Sequence, residues 1–509
     1  MTAISKASFS GRLRAGAVAL GLAGLLALAA CDKGPDQAAV AAQLKGDVEA
    51  QLKIIEGSAV PQSISHTGVT VTPVDKESYQ VTIEGLKFQP SPEGYLDIGT
   101  LSYVAKPKDE TSYEVSDLKV APELPFKGAD GKEKGKLAVT TKSFQGLWSR
   151  DVGNLVKAEG EFADIVATDT EGADLRIAGL KFAGELTDKG SGLYDSTGSA
   201  TVTGFAIKES ASDGLFSIKD LQVNGTYEGI KLKEYQAAAQ KYQELLAKQM
   251  SVTEGGQPAT LTPEEAKALA DAVAAMAASI KGGEGKFVFN GSSYAEAGAT
   301  PFALETLSLS SRLDGINQEK ANFNFDVAHK GLVINEPEAS GPLAKGILPR
   351  DGNLGLKVTD IPSKDLVKVL ADNLPGMMSA DSTMAEANAM AMLVALQAVL
   401  QTSGAKIEVT PSAITADVTE VKADGNFNVS PQAVMGIAGA LNIAWTGLDE
   451  VMALAQANPA EPNSADVSSA VAMLMQFAKR ETGADGKPVD KFLIEVKETG
   501  ELTVNGNPM

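Results

Sequence analysis

Cysteine and histidine, the side chains most often used as nucleophile, general base or transition-metal ligand, are almost absent from this sequence. Cys31 is the only cysteine, and His66 and His329 are the only histidines in 509 residues. A Ser-His-acid or Cys-His site would need one of these histidines, and no GxSxG motif occurs. We therefore predict no catalytic residue, no metal site and no cofactor. Because the chain has 65 acidic residues, a hydrolase with paired carboxylates stays open as a minor alternative.

Cys31 ends an N-terminal segment that is built like an export signal. Three basic residues and no acidic ones precede a run of sixteen apolar or small residues, 15–30. A membrane-spanning anchor is the alternative, but this run is short for a span and no stop-transfer flank follows it. The run closes with Leu28, Ala29 and Ala30, and the tetrapeptide ending in Cys31 resembles the bacterial lipobox. The resemblance implies that lipid is attached to the Cys31 sulfur and that the chain is cleaved before it.

A lipidated Cys31 predicts a protein held on the periplasmic side of the cell envelope by its anchor. Asp32 resembles the enteric signal for retention on the inner membrane, which favours the inner over the outer membrane. The net charge of −20 argues against nucleic-acid binding, because phosphate contacts require clustered lysine and arginine. The predicted partners are therefore the membrane and, beyond it, lipids or envelope proteins.

The segment from about 67 to 232 alternates apolar and polar residues, as antiparallel strands do. Within and after it, six segments share the form apolar-x-apolar-x-x-Leu-x-apolar: residues 81–88, 96–103, 113–120, 175–182, 216–223 and 302–309. The two-residue step breaks the alternation by one position. A β-bulge at the step would keep both halves of each strand facing one core and would bend the strand. The repeat therefore predicts a large, curved antiparallel sheet.

Helical patterns interrupt the strands, so we assign the fold to the α+β class, with helices packed on the sheet. Val40, Leu44, Val48 and Leu52 have helical spacing. A helical hairpin is expected over 232–281, where Thr262-Pro-Glu-Glu265 has the sequence of a capping box. Two strand-to-helix segments, 354–363 and 441–449, resemble each other. Ala- and Met-rich helices are expected over 380–402 and 464–481, with methionines that fill a core or line an adaptable apolar surface.

The domain prediction has four parts. Residues 1–30 form the signal peptide, and 31–56 form a tether with a short helix. Residues 57–285 form a strand-rich repeat domain that contains the helical hairpin. Residues 286–509 form a mixed strand and helix domain.

The strand repeats and the ending Gly500-Glu-Leu502-Thr-Val504-Asn505-Gly506-Asn-Pro508 resemble large alphaproteobacterial periplasmic proteins of unknown function. The strand repeats are also distantly similar to AsmA-like envelope proteins, whose curved β-grooves are implicated in lipid handling. This chain differs from those proteins in having a lipobox where they have a transmembrane helix. The leading hypothesis is a non-enzymatic lipoprotein that binds lipid or another apolar envelope ligand. The alternative is a structural or assembly lipoprotein that binds envelope proteins.

Overall fold

Antiparallel strands with helical insertions make up the protein, which confirms the predicted α+β class. The computed structural model describes residues 37–57, 63–91, 94–170, 174–208, 214–250, 261–296, 299–335, 341–377, 382–434 and 436–509. These ranges contain 23 strands and eight helices, and they divide into two compact units. Unit 1 comprises Met1–Ala211 and Gly229–Ser279, and unit 2 comprises Ser212–Glu228 and Ile280–Met509. The boundary predicted between residues 285 and 286 lies inside one strand, Gly282–Glu296.

Unit 1 contains one helix before its strands and a helical hairpin after them. The helices are α1 (Gln37–Gly57), α2 (Leu232–Met250) and α3 (Pro263–Ala278). The strands are β1 (Ser63–Ser65), β2 (Gly68–Pro73), β3 (Tyr79–Ser91), β4 (Gly94–Pro107), β5 (Ser112–Lys119), β6 (Glu123–Gly128), β7 (Glu133–Ser149), β8 (Asn154–Asp169), β9 (Asp174–Gly190) and β10 (Leu193–Lys208). Strand β3 pairs with β1, β2 and β4, and β4 pairs with both β5 and β6. Both of these pair with β7, and β8, β9 and β10 follow in order.

Helix α1 packs against β1 and β2 of the unit 1 sheet. Val40, Leu44, Val48 and Leu52, the four residues with helical spacing, are all buried in one core with the strands. The same core contains the largest fully buried side chains of the unit, Tyr79, Tyr103, Tyr113 and Trp148. The hairpin of α2 and α3 has the predicted capping box, with Thr262 and Glu265 bonded reciprocally.

Unit 2 continues the antiparallel pattern with five helices. The strands are β11 (Leu215–Lys231, of which the last three residues belong to unit 1), β12 (Gly282–Glu296), β13 (Ala299–Asp314), β14 (Ala321–Lys330), β15 (Val333–Ile334), β16 (Asp351–Ile361), β17 (Lys406–Thr415), β18 (Glu420–Val429), β19 (Ile437–Thr446), β20 (Lys479–Thr482), β21 (Pro488–Val496), β22 (Leu502–Val504) and β23 (Asn507–Pro508). The helices are α4 (Pro342–Ile347), α5 (Ser363–Met377), α6 (Ser382–Ser403), α7 (Leu448–Ala457) and α8 (Ser464–Phe477). Pairing runs through β11, β12, β13, β14, β16, β17, β18, β19 and β21 in that order.

The predicted second Met-rich helix is too long at its C-terminal end. Helix α8 ends at Phe477, and Lys479–Thr482 form β20 instead of a last helical turn. The reason is a hydrogen bond that the sequence pattern does not show: the Asn505 amide donates to the Phe477 carbonyl oxygen at 2.6 Å. The same amide donates to the Lys491 carbonyl at 2.9 Å, and its oxygen accepts from the Leu493 N–H. Asn505 therefore joins the end of α8 to β21, which gives the Asn-Gly ending a structural role.

The predicted step in the strand repeat is a true irregularity in the first three copies. The register of the β3–β4 pair shifts between Ile83 and Leu86. The register of the β4–β5 pair shifts between Ser116 and Lys119, which flank Asp117. Gly85, Gly99 and Asp117, each within the step, have left-handed backbone conformations with φ of 59°, 71° and 53°. The left-handed residue bends the strand and returns the apolar side chains to the same face.

In the last three copies the step itself is regular, and the left-handed residue lies on a neighbouring strand. Asp164 on β8 and Gly204 on β10 flank Ala178, and Gly291 on β12 faces Lys219. The expectation of a bulge inside every copy is therefore wrong for these copies. The bend is still present at the same position across the strands, because neighbouring strands share it.

Alanine substitutions at two glycines of the bent strands distinguish the cost of backbone strain from the cost of steric overlap. A Cβ at Gly99 would have no heavy atom within 4 Å, whereas a Cβ at Gly85 would lie 2.6 Å from the Thr67 side chain. Gly99→Ala is therefore expected to cost about 1–2 kcal/mol from the left-handed conformation alone. Gly85→Ala is expected to cost more. Urea unfolding of both variants checks this order, and equal losses would contradict the role given to Thr67.

Candidate functional site

The residues that the sequence assigned to lipid attachment and processing lie outside the described residues. These are Leu28, Ala29, Ala30, Cys31 and Asp32. His66 lies between β1 and β2, and His329 lies on β14, so the structure places the two histidines on different units. Within the described ranges, no group of three or more His, Asp or Glu side chains is arranged to hold a metal ion. In the same part of the chain, no helix combines the length and apolar character that crossing a membrane requires.

The unit 2 sheet has one face that is apolar across many strands. Residues directly opposite one another on paired strands point to the same face. One such row runs over five strands, through Val223, Phe287, Leu309, Val327 and Leu354. The next row on this side runs through Ser311, Phe325, Leu356, Val409, Gly425, Leu441 and Ile494. We call the surface formed by Phe287, Phe289, Leu307, Leu309, Phe325, Val327, Leu354 and Leu356 the apolar face.

The opposite side of the same strands is polar. Lys286 pairs with Ser310, which pairs with Asp326. Lys357 lies opposite Glu408, and their side chains form an ion pair at 3.5 Å. This alternation is the pattern of a sheet with one wet and one apolar side.

The apolar face differs from the matching face of unit 1 in its exposure. In unit 1 the repeat residues Val81, Ile83 and Leu86 are completely buried in the core that includes the apolar side of α1. On the apolar face, Phe287 keeps 43% and Leu354 keeps 50% of its surface exposed, and the other members are only partly buried. The same kind of strand pattern therefore forms a closed core in one unit and an open surface in the other.

Helices cover this side of the unit 2 sheet at its C-terminal strands. Leu448 and Val451 of α7 and Val471 of α8 form a small core with Phe492 on β21. Met452 and Met475 pack against this core, as gap-filling methionines would. Met390 and Met473 are instead exposed, so the methionines divide between the two roles that the sequence left open. Met390, Leu393 and Val394 form an exposed apolar stripe on α6.

An ion pair between the half-exposed Arg480 and the buried Asp490 lies beside this small core and joins α7 to the β20–β21 hairpin. Arg480 donates to both carboxylate oxygens of Asp490 at 2.8 and 2.9 Å, and the Asp490 side chain is only 3% exposed. Arg480 also donates to Asp449 in the first turn of α7 at 3.0 Å. These hydrogen bonds, first those to Asp490, raise the pKa of Arg480. The arginine therefore links three elements through one guanidinium.

The polar groups near the apolar face do not form a reaction centre. His329 lies in a third row between Leu307 and Gly352, and its Nε2 atom is buried with no hydrogen-bond partner among the described residues. The ring lies over Gly352, where a Cβ would be 2.7 Å from it. In unit 1, burial raises the pKa of the Tyr103 hydroxyl, which stays a neutral group in an apolar core. What the arrangement offers chemically is apolar contact surface with one imidazole in it.

The open face was missed by sequence reasoning because its strands carry the same pattern as the closed ones. The signal that could have indicated it is that β12, β13 and β14 follow one another through short connections, while the helical hairpin between β11 and β12 belongs to unit 1. No known protein family, curated protein or solved structure matches the chain.

Proposed function

We propose that the protein is a periplasmic lipoprotein, tethered to a membrane through Cys31, that binds lipid or another apolar envelope ligand on the apolar face. The observation that carries the proposal is the half-exposed row of large apolar side chains on unit 2, with Phe287 and Leu354 at its exposed part. Contiguous exposed apolar surfaces on folded proteins mark binding sites or membrane contacts.

The energetics favour an acyl chain as the bound group. Each methylene that leaves water for an apolar contact contributes about 0.8 kcal/mol. Phenylalanine, leucine and valine side chains contribute no polar group that an acyl chain would have to desolvate. The single imidazole of His329 would contact the ligand as an isolated polar atom. Lipid is also available to the protein, because an anchor on Cys31 keeps it beside a membrane. Asp32 favours the inner membrane.

Extraction of lipid from the natively purified full-length protein tests the proposal. Organic solvent removes lipid bound to the apolar face but leaves a thioether-linked anchor on the protein. We expect the extract to contain lipid in an amount comparable to that of the protein. Protein that retains no lipid after incubation with vesicles, while its circular dichroism shows a folded sheet, would overturn the proposal.

A second function, binding an envelope protein, is favoured by one separate feature. Met390, Leu393 and Val394 on α6 have the i, i+3, i+4 spacing of an apolar helix stripe and are exposed. Helices with such a stripe dock into apolar grooves of partner proteins. Crosslinking from position 390 in intact cells that yields one defined protein, with no lipid in the extract, would favour this function over lipid binding.

A further inference from the structure

The chain between the lipidated cysteine and the first helix is short. Helix α1 begins at Gln37, so six Cα-to-Cα steps separate it from Cys31. Even a fully extended chain spans at most about 3.6 Å per residue, so Gln37 lies within roughly 22 Å of the lipidated residue. Any surface of unit 1 near Gln37 must therefore lie close to the membrane that holds the anchor.

Helix α1 is fixed to the body of unit 1, so it cannot extend this reach. Its apolar residues Val40, Leu44, Val48 and Leu52 are each at most 3% exposed. Asp47 faces Arg150, next to the β7–β8 turn, at 3.8 Å. Pulling α1 away would expose these four buried apolar side chains to water, which is unfavourable. Because α1 is packed rigidly on unit 1, the short distance between Cys31 and Gln37 also limits the distance between Cys31 and unit 1.

The first residue of α1 lies on a particular turn of the sheet. The Gln37 side-chain amide donates to the carbonyl oxygen of Asp75, in the β2–β3 turn, at 2.9 Å. The β4–β5 turn is at the same end of the strands, because Tyr79 pairs with Ala105 and Pro107 pairs with Tyr113. These two turns, 73–78 and 107–112, form what we call the anchor end of unit 1.

The two turns of the anchor end have the same construction. In each, an aspartate side chain accepts hydrogen bonds from the turn that follows it: Asp75 from Glu77 and Ser78, and Asp109 from Thr111 and Ser112. A hydrogen bond from the serine, Ser78 or Ser112, is the main cause that lowers the pKa of the aspartate in each turn. Both carboxylates are therefore used within their own turns.

The charges of the anchor end nearly cancel, with four carboxylates (Asp75, Glu77, Asp109 and Glu110) against three lysines (Lys76, Lys106 and Lys108). Glu77 is paired with Lys106 at 2.9 Å, which neutralises a charge that anionic lipid would repel. Val74 at the tip of the β2–β3 turn keeps 58% of its surface exposed, and Lys76 and Lys108 are also exposed. An apolar tip flanked by lysines is the composition found where proteins meet lipid headgroups.

We propose that the anchor end of unit 1 rests on the surface of the bilayer that carries the Cys31 lipid. The inference depends on the proposed lipidation of Cys31, and it adds which end of the protein faces the membrane. The β6–β7 turn around Lys132 lies at the other end of the strands, since Gly128 pairs with Gly94 at the start of β4. Strand β4 has 14 residues, which separates the two ends by roughly 40 Å.

The chain offers a clean labelling experiment because acylation of Cys31 leaves no free thiol. Full-length acylated protein carrying Val74→Cys or Glu110→Cys is labelled with an environment-sensitive fluorophore and reconstituted into phosphatidylethanolamine–phosphatidylglycerol vesicles. Nitroxide groups on the lipid headgroups then serve as a short-range quencher. The matched control is Lys132→Cys, whose side chain is 81% exposed on the far turn.

We expect the headgroup quencher to lower the fluorescence of the Val74 and Glu110 probes about twofold or more, as for groups at the interface, and to leave the Lys132 probe unchanged. The intact mass of the same protein reports whether Cys31 is acylated. If the mass shows no lipid, the tether fails and this inference fails with it. If the protein is acylated and vesicle-bound but both turn probes are unquenched, this inference is overturned. Lipid binding by the apolar face is tested separately, by the extraction experiment.

Discussion

Arg480→Ala is expected to lower the free energy of unfolding of unit 2 by about 1–3 kcal/mol, the usual loss when a buried acceptor is left without its hydrogen bonds. The Asp490 carboxylate is 3% exposed and takes hydrogen bonds from two guanidinium nitrogens. Without Arg480 that carboxylate stays buried and unpaired. The substitution also removes the hydrogen bonds that Asp449 of α7 accepts from Arg480.

The two tryptophans allow this effect to be assigned to one unit. Trp148 lies in unit 1 and Trp445 in unit 2, and Trp445 packs beside the small core of α7 and α8. In a Trp148→Phe background, the fluorescence of Trp445 during urea unfolding follows unit 2 alone.

Lys491→Ala is the matched control for Arg480→Ala on the same hairpin. Lys491 forms an ion pair with Glu481 across β20 and β21, but both side chains are about half exposed. Exposed pairs contribute at most about 1 kcal/mol, so the control should change little. Similar losses in the two variants would show that the burial of Asp490 does not determine the stability of this hairpin.

Phe287→Asp and Leu354→Asp are each expected to weaken lipid binding about 10-fold to 100-fold. Each substitution removes apolar contact worth about 1.5–3 kcal/mol, and every 1.4 kcal/mol changes affinity about tenfold. It also places a carboxylate under the bound chain. Both side chains are about half exposed in the free protein, so the substitutions should cost little stability. Titration of the full-length variants with a fluorescent fatty acid measures the effect.

Lys286→Gln is the control for these variants, because it changes the net charge by the same single unit on the opposite side of β12. Lys286 is exposed and pairs with Ser310 on the polar side of the sheet. We expect unchanged fatty-acid binding. If all three variants bind equally well, the ligand does not lie on the apolar face, and the function proposed for it is wrong.

Local patterns predicted the elements of this fold well because each pattern has a local cause. The spacing of Val40, Leu44, Val48 and Leu52 set one helix face, and Thr262 with Glu265 set a helix start. Both strand-to-helix segments were also found from their sequences, the first with its helix start at Ser363 and the second with a helix predicted from Asp449 that begins one residue earlier, at Leu448.

What the sequence could not predict depends on partners distant in the chain. The end of α8 depends on Asn505, 28 residues away, and a bend beside Ala178 is made by Gly204 on another strand. The open and closed sheet faces have equivalent patterns, so exposure depends on whether a helix lies above them. The predicted lipidation site at Cys31 does not depend on residues distant in the chain. Its signal is entirely local in sequence and lies outside the described residues.

The shared bends also limit which strand registers this long meander can adopt. Alternation of apolar and polar residues excludes slips by one residue, since those would turn every apolar side chain to the wrong face. It does not exclude slips by two. A two-residue slip of β9 against β10 would put Arg176 or Leu180 in the space beside Gly204 that now fits the Ala178 methyl group. It would also move the bends of neighbouring strands out of line. The bends therefore give a repetitive sequence, with six similar strands, a means of selecting one pairing during folding.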